Sequence, residues 1–393
     1  MIKTALVAGG GIAGPVTAVA LRKAGVEATV FEAYDLPADG VGGVVMVAPN
    51  GLDALSAVGV DVGALGHPTT TMVMEDGRGK RVMEFPGLPD LPPSRTMWRS
   101  DLYRALNEHA VANGVKVEYG KRVVAVEEGP DSITAVFADG SKATGDILIG
   151  ADGIRSTVRT LIDPSAPGPE AVGLLGIGGY GPPVPGTGGP EVMHFAQGKR
   201  AFFGYWADPE ADRTLWFSNL PDRGAMSIAE ARAVPQDEWL RLLRAAHADD
   251  VPARDVLDGA GDLQVIGSLE ILPTVPRWHR GRMVLVGDSA HAPSPSSGQG
   301  VSLTAESAVQ VARCLRDLPD HASAFAAYER LRRPRVEKIA AAARRVNRNK
   351  AAGPVARAVT ALVAPVVAKL LTPQRMFGET HSHHIEWDEP VTG

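Results

Sequence analysis

"TALVAGGGIAGPVTAVALRKAGVEATVFEA", Thr4 to Ala33, decides the fold. An apolar run at Ala5 to Ala8, a glycine turn, a helix-compatible stretch from Pro15 to Lys23 and a second apolar run from Thr29 to Glu32 make a strand-turn-helix-strand unit. Gly9, Gly11 and Gly14 form a GxGxxG at the turn. The first glycine permits the tight turn, the second lets a pyrophosphate approach the backbone, and the third lets the helix lie on the strand. Pro15 suits a first helical turn, where its missing N–H costs nothing. The N–H groups of Ile12, Ala13 and Gly14, with the helix dipole, offer partial positive charge to a diphosphate. Glu32 follows at the strand end, placed to accept hydrogen bonds from a ribose diol. Flavin and nicotinamide dinucleotides share that adenosine diphosphate half, so this unit alone leaves the ligand open.

Further buried-strand patterns occur at Lys116 to Tyr119, Ile147 to Ile149 and Met283 to Val286, and Asp101 to Ala112 reads as a helix with Ser100 as its N-cap. The alternation predicts an α/β fold with a Rossmann-like parallel sheet. Val123 to Val126, Ile133 to Phe137 and the strand at Ile147 read as a three-stranded meander. Met72 to Phe85 and Glu191 to Asn219 read as antiparallel strands of a second sheet, and Pro164 to Pro190 as a boundary with its seam near Gly173. Ser302 to Leu315 and Ala322 to Arg348 are long helical patterns, and the last dozen residues read as a loose tail.

At 393 residues the chain exceeds what one core usually serves, which predicts two lobes and a terminal extension. A net charge of −5 gives no pull toward nucleic acid. Cys314 is the one cysteine, which excludes an intramolecular disulfide and cysteine-clustered metal sites. The first residues carry no signal-peptide pattern, and "VARAVTALVAPVVAKLL" is broken by Arg357, Pro365 and Lys369, which argues for a packed or dimer-facing helix over a membrane span. A cytoplasmic location is expected.

Two later motifs extend the opening one. "GADGIRSTVR", Gly150 to Arg159, turns from a strand into a helix and reads as a second backbone clamp. "GRMVLVGDSAHAPSPSSGQGVSLTAESA", from Gly281, places Asp288 at the carboxyl end of a strand, where a carboxylate can hold a ribityl polyol. Its Gly298 and Gly300 open a helix whose N-terminus can stabilise negative charge on a reduced isoalloxazine.

In this order the three motifs resemble the class A flavoprotein monooxygenases, the family of para-hydroxybenzoate hydroxylase. The resemblance covers most of the chain and includes Arg99 in "MWRSDLYRAL". It implies FAD as cofactor, with Glu32 on the adenosine ribose, Arg99 near the ribityl-diphosphate and Asp288 on ribityl. Asp152 and Gly153 would serve the FAD diphosphate and the docking of the nicotinamide donor, and Pro295 with Gly298 to Gly300 would lie beside the isoalloxazine. It also implies that NADPH or NADH reduces the flavin, that O2 then forms a C4a-hydroperoxide, and that one oxygen atom passes to an organic substrate. Many relatives carry an arginine soon after the ribose acid, whereas Ala33 to Asn50 holds no Lys or Arg, which leaves the choice between NADPH and NADH open. No second GxGxxG opens a helix in a strand-turn-helix unit, in keeping with transient donor docking. Residues 1–70, 98–172 and 270–345 are expected to form a discontinuous FAD-binding domain, 71–97 and 173–269 the substrate-binding domain, and 346–393 a C-terminal helix and tail.

Such chemistry needs an apolar pocket that orients substrate and excludes water. Met193, Phe203, Tyr205 and Trp216 are candidates for its wall and Pro293 for its flavin side; the glycine-rich turn before Val45 to Val47 is a candidate for movement. With no basic cluster in the aromatic segment, a phenol, polyketide, indole or terpenoid is favoured as substrate. Asp288, Ser289 and His291 lie too close on one turn for a hydrolase relay. The histidines at 381, 383 and 384 are assigned no metal, and the basic run "RLRRPRVEKIAAAARRVNRNK" reads as a solvated helix face. A reductase or dehydrogenase on the same fold and a non-catalytic flavin-binding sensor are the competing functions; no "WxWxIP" supports a halogenase.

Overall fold

Short apolar runs form the centre of one parallel sheet because they can be buried on both faces between turns. The computed structural model describes residues 2–37, 43–208, 212–222, 224, 226–350 and 372–392. Its six-stranded sheet runs His279–Arg280, Met283–Leu285, Ile147–Gly150, Thr4–Ala8, Glu27–Phe31, Lys116–Glu118, parallel throughout except at the edge strand His279–Arg280. Val7, Val30, Leu148 and Val284 are fully enclosed in it. Helix Ala13–Lys23 packs between this sheet and helix Gly300–Asp317. The α/β architecture matches the expectation from sequence.

The meander differs in its third strand. Ile133–Phe137 pairs with Val123–Glu128 and with Lys142–Gly145, while Ile147–Gly150 joins the parallel sheet. Gly145 lets the chain cross: a Cβ there would fall 3.1 Å from Leu6 Cγ. Helix Arg99–Ala112 begins before Ser100, straight from strand Ser94–Trp98, with Trp98 as the capping residue. The Arg99 N–H is already satisfied by the Gly43 carbonyl at 3.0 Å, so no side-chain cap is needed.

The second sheet has seven strands, in the order Gly261–Ile271, Glu170–Gly181, Arg213–Pro221, Phe202–Asp208, Val192–Gln197, Thr71–Asp76, Arg81–Pro86. Thr71–Asp76 meets Val192–Gln197 in parallel, contrary to the all-antiparallel reading. No hairpin joins those two strands, so no turn dictates their direction. The supposed boundary at Pro164 to Pro190 contains the twelve-residue strand Glu170–Gly181. Its alternation was hidden by glycines that the packing requires: a Cβ on Gly181 would lie 2.5 Å from Val256 Cγ1, and one on Gly179 3.1 Å from the Trp216 ring. A third sheet of Val44–Val47, Ser94–Trp98 and His67–Thr69 joins the two larger ones.

Helices Ile228–Ala233, Gln236–Ala246 and Ala253–Asp258 cover one face of the seven-stranded sheet. There Ser218 Oγ, His247 and Asp250 line up at 2.9 and 3.0 Å, all buried. Enclosed in the core, this set ties sheet to helix and has no route to a substrate.

The end of the chain is docked rather than loose. Trp387 is buried beneath Lys23 and Arg316, which stack on its ring at 4.6 and 5.0 Å. Arg313 and Arg316 donate to the carbonyls of Glu389 and Trp387, both at 2.6 Å. The segment "VARAVTALVAPVVAKLL" and the glycine turn at 40–42 lie outside the described residues. No helix among the described residues is long and apolar enough to cross a membrane.

Candidate active site

Glycines bring the three motifs into contact. A Cβ on Gly14 would fall 1.9 Å from the Gly9 carbonyl oxygen, so only glycine lets this helix start against its strand. Gly9, at φ +105, lies so close to the Asp152 turn that a Cβ would sit 2.4 Å from the Ala151 oxygen. Gly287, at φ +62, wedges between helices, its Cβ position 3.2 Å from Ala13 and 3.0 Å from Thr304 Oγ1. Arg159 adds a tie from the second motif to the third by donating to the Ser289 carbonyl at 3.1 Å, and Ser289 Oγ donates to the Gly150 carbonyl at 2.5 Å.

Two open helix N-termini result. Helices Ala13–Lys23 and Gly300–Asp317 begin at Ile12 and Gln299 without a side-chain cap. At Gly11 and Gly300 a Cβ would meet nothing within 4 Å, so space lies before both sets of N–H groups. Glu32 is fixed beside the first, accepting from the Gly10 N–H at 2.6 Å and the Tyr34 N–H at 2.9 Å. Its carboxylate keeps lone pairs for further donors. Asp288 is open to water yet closely surrounded by protein, the situation of a side chain on the wall of a deep cleft. That enclosure pushes its carboxyl up to about 6, while the nearby Arg99 guanidinium acts in the opposite direction.

Asp152 faces inward. Ser156 Oγ and the Val158 N–H take its two oxygens, so it shapes the turn that presents Gly153, at φ +77 with open space before it. Pro295 is exposed at the start of a short turn, and Gly298, at φ +62, closes it in the left-handed conformation. A Cβ on Gly298 would lie 2.9 Å from Met46 Cε, so this loop abuts strand Val44–Val47. An extended dinucleotide fits this row of features: an acid at one end, two uncapped helix ends, a carboxylate on the cleft wall and a glycine loop. These residues suit FAD.

The aromatic candidates divide by sheet face. Phe203, Tyr205 and Trp216 point into the core beneath the helices, where Phe203 stacks on Trp216 at 5.6 Å and Tyr205 donates to Glu75 at 2.7 Å. Strand alternation places them one residue out of step with the other face. That open face carries Met193, Phe195, Trp206, Leu215 and Phe217, packed with Tyr180, Trp98 and Val44. Of the proposed wall residues, only Met193 lies there. Pro293 is buried beside Leu272, Trp278 and Val336, away from that face.

Sequence reasoning also missed the helix His321–Lys350 as a site element. Arg332 is buried and pairs with buried Glu306 at 2.6 Å; Arg335 pairs with the same carboxylate at 2.8 Å, and Asn50 donates to it at 2.6 Å. Burial raises the Glu306 carboxyl, but the two guanidiniums outweigh that and bring it down to about 2. The basic run is therefore solvated only on one side: Lys338, Arg345 and Arg348 are exposed, whereas Arg332 and Arg335 meet a carboxylate on the neighbouring helix that no local pattern announces. His291 is buried on Ser307 at 2.8 Å and is held neutral, burial pushing it down to about 3. Among the described residues no group of three or more His, Cys, Asp or Glu is placed to hold a metal.

Comparison with known proteins agrees with this geometry. Residues 3–343 match the FAD binding domain family. An FAD-dependent urate hydroxylase of Klebsiella pneumoniae is 30% identical over 87% of this chain and 88% of its own. The 3-amino-4-hydroxybenzoate 2-monooxygenase PtmB3 of Streptomyces platensis is 30% identical over 85% of each. A crystal structure of a Klebsiella pneumoniae HpxO variant complexed with FAD superposes with a TM-score of 0.82 at 25% identity, covering 96% of this chain and 97% of that one. With its dinucleotide turn, its two open helix ends and these relatives, the chain belongs to the FAD binding domain family and is an FAD-dependent monooxygenase of the class A flavoprotein type.

Proposed function

We propose that the enzyme uses NADPH or NADH together with O2 to hydroxylate a largely apolar, planar small molecule lying between the open aromatic face and the Pro295–Gly298 loop. The observation that carries this reading is the face itself. Phe195, Phe202 and Phe217 pack ring to ring at 5.9 to 6.4 Å on the side of the sheet that the helices leave uncovered. Bound FAD supplies acceptance of electrons from the donor and activation of oxygen. The chain supplies the rest. The Gly9–Gly14 turn takes the diphosphate, Glu32 the ribose diol and Asp288 the ribityl hydroxyls, with Arg99 beside it. The N-terminus of helix Gly300–Asp317 stabilises negative charge on the reduced ring, and the aromatic wall keeps water out. Residues 1–70, 98–172 and 270–345 make the cofactor lobe and 71–97 with 173–269 the substrate lobe in this assignment. A chain with one buried cysteine suits a reducing, cytoplasmic setting.

The test begins with protein offered FAD and freed of excess. A bound flavin spectrum is expected, and Asp288→Ala should lose most of it while remaining folded. Donor oxidation against candidate phenols under 18O2 should then place one labelled atom in the product. Donor oxidation with no label in any product would instead make the protein a reductase.

A further inference from the structure

Strand Val44–Val47 leads straight into helix Pro49–Ala57, and the corner between them is locked onto the first turns of helix Gly300–Asp317. The Ala48 N–H donates to Ser302 Oγ at 3.1 Å, and a Cβ on Gly51 would fall 2.4 Å from that same oxygen, so only glycine lets the two helices approach this closely. Between these contacts stands Asn50, fully buried. Its Nδ2 donates to Gln299 Oε1 at 3.0 Å and to Glu306 Oε1 at 2.6 Å, so one amide holds two acceptors that lie two turns apart on one helix. Gln299, Ser302 and Glu306 follow at spacings of three and four, a single stripe that meets the corner. Asn50 Oδ1 finds no donor among the described residues, so the amide is oriented by what its nitrogen holds. Fold stability alone gains little from a core amide with one end unpaired.

Glu306 is itself fixed by Arg332 and Arg335, and Asn50 passes that anchorage to Gln299, the residue in the N-cap position before Gly300. A side-chain oxygen at such a position can fold back onto the helix's own N–H groups. Held by Asn50, the Gln299 oxygen does not, and the helix starts without a side-chain cap. We propose that Asn50 is a positioning residue for the flavin: by clamping Gln299 to Glu306 it fixes the open end of helix Gly300–Asp317 where negative charge develops on the reduced ring. This rests on the placement of the ring at that helix end, proposed above, and adds the residue that sets it.

The readout is the potential of the bound flavin, which reports how much more tightly the protein holds reduced than oxidised FAD. FAD-loaded wild type and Asn50→Ala are reduced without oxygen beside a reference dye, and the potentials are taken from the spectra. Loss of the clamp should weaken the preference for reduced flavin about three- to tenfold, the scale of a helix-end charge interaction, which lowers the potential by about 15–30 mV. A residue that only stabilised the fold would lower Tm and loosen both flavin states alike, leaving the potential in place. Gln299→Leu cuts the clamp from its other side and should lower the potential as well, which keeps the inference testable if Asn50→Ala fails to fold or to hold flavin. Because the two side chains act as one unit, the double variant should fall no further than the larger single effect. With the ring seated at the helix end in a crystal structure of the complex, an unchanged potential in Asn50→Ala, or single effects that add in the double variant, would overturn the inference. A ring seated elsewhere would instead break the placement on which it rests.

Discussion

On one face of the seven-stranded sheet Phe203, Tyr205 and Trp216 are sealed against Trp239, Leu243 and Val256; on the other, Phe195 and Phe217 stay half-covered and Phe202 touches Lys350. The two sets interleave on the same strands and have the same composition. What separates them is the layer each meets. Helices Ile228–Ala233, Gln236–Ala246 and Ala253–Asp258 close the first face, whereas Val44, Trp98 and the end of helix His321–Lys350 bound the second. An aromatic strand thus supplies a sealed face and an uncovered one at once, and period-two alternation shows that there are two faces without showing which is which.

Removing a side chain from each face should break the symmetry. Trp216→Ala should cost about 3–5 kcal/mol in urea denaturation, the usual range for emptying a buried aromatic site. Phe217→Ala should cost about 1 kcal/mol or less, because its ring is partly uncovered already, and should instead raise KM for the substrate. Equal destabilisation by the two would end the distinction.

Behind the open face, Glu306→Gln should cost about 3 kcal/mol or more by leaving Arg332 and Arg335 without their buried carboxylate. The sign of its pH dependence follows from a carboxyl depressed to about 2. Its stabilisation is complete above the ordinary glutamate range near 4.3, and is lost as pH falls from there through the folded value. Wild-type stability should therefore drop more steeply on acidification than that of Glu306→Gln, and parallel curves would contradict the pairing. At the small end, His384→Ala removes an exposed contact to Asp53 and should move Tm by no more than about 1 °C.

The cofactor side was legible because each of its three motifs carries its glycines at a recognisable spacing. Gly14 avoids the Gly9 carbonyl five residues earlier, whereas Gly9 and Gly287 keep their motif positions although they pack on Ala151 and Ala13, far away in sequence. The parallel sheet was legible through its central strands, where Thr4–Ala8, Ile147–Gly150 and Met283–Leu285 are nearly continuous apolar runs. The strand Glu170–Gly181 was hidden because its glycines erase alternation, and the docked tail because Trp387 takes its partners from Lys23 and Arg316, which lie far from it in sequence. Lys350 was read as one more charge on a solvated helix, since partners such as Phe202, Asn219 and Ser296 come from a different sheet and loop. Pairings between distant segments leave no periodic mark.

The most direct test of the account is a crystal structure of the FAD-loaded protein. It should show the isoalloxazine against the Pro295–Gly298 loop, with one side turned to Phe195, Phe202 and Phe217 and Lys350 at the edge of the space between. A ring system seated elsewhere, with that space filled by protein side chains, would contradict it.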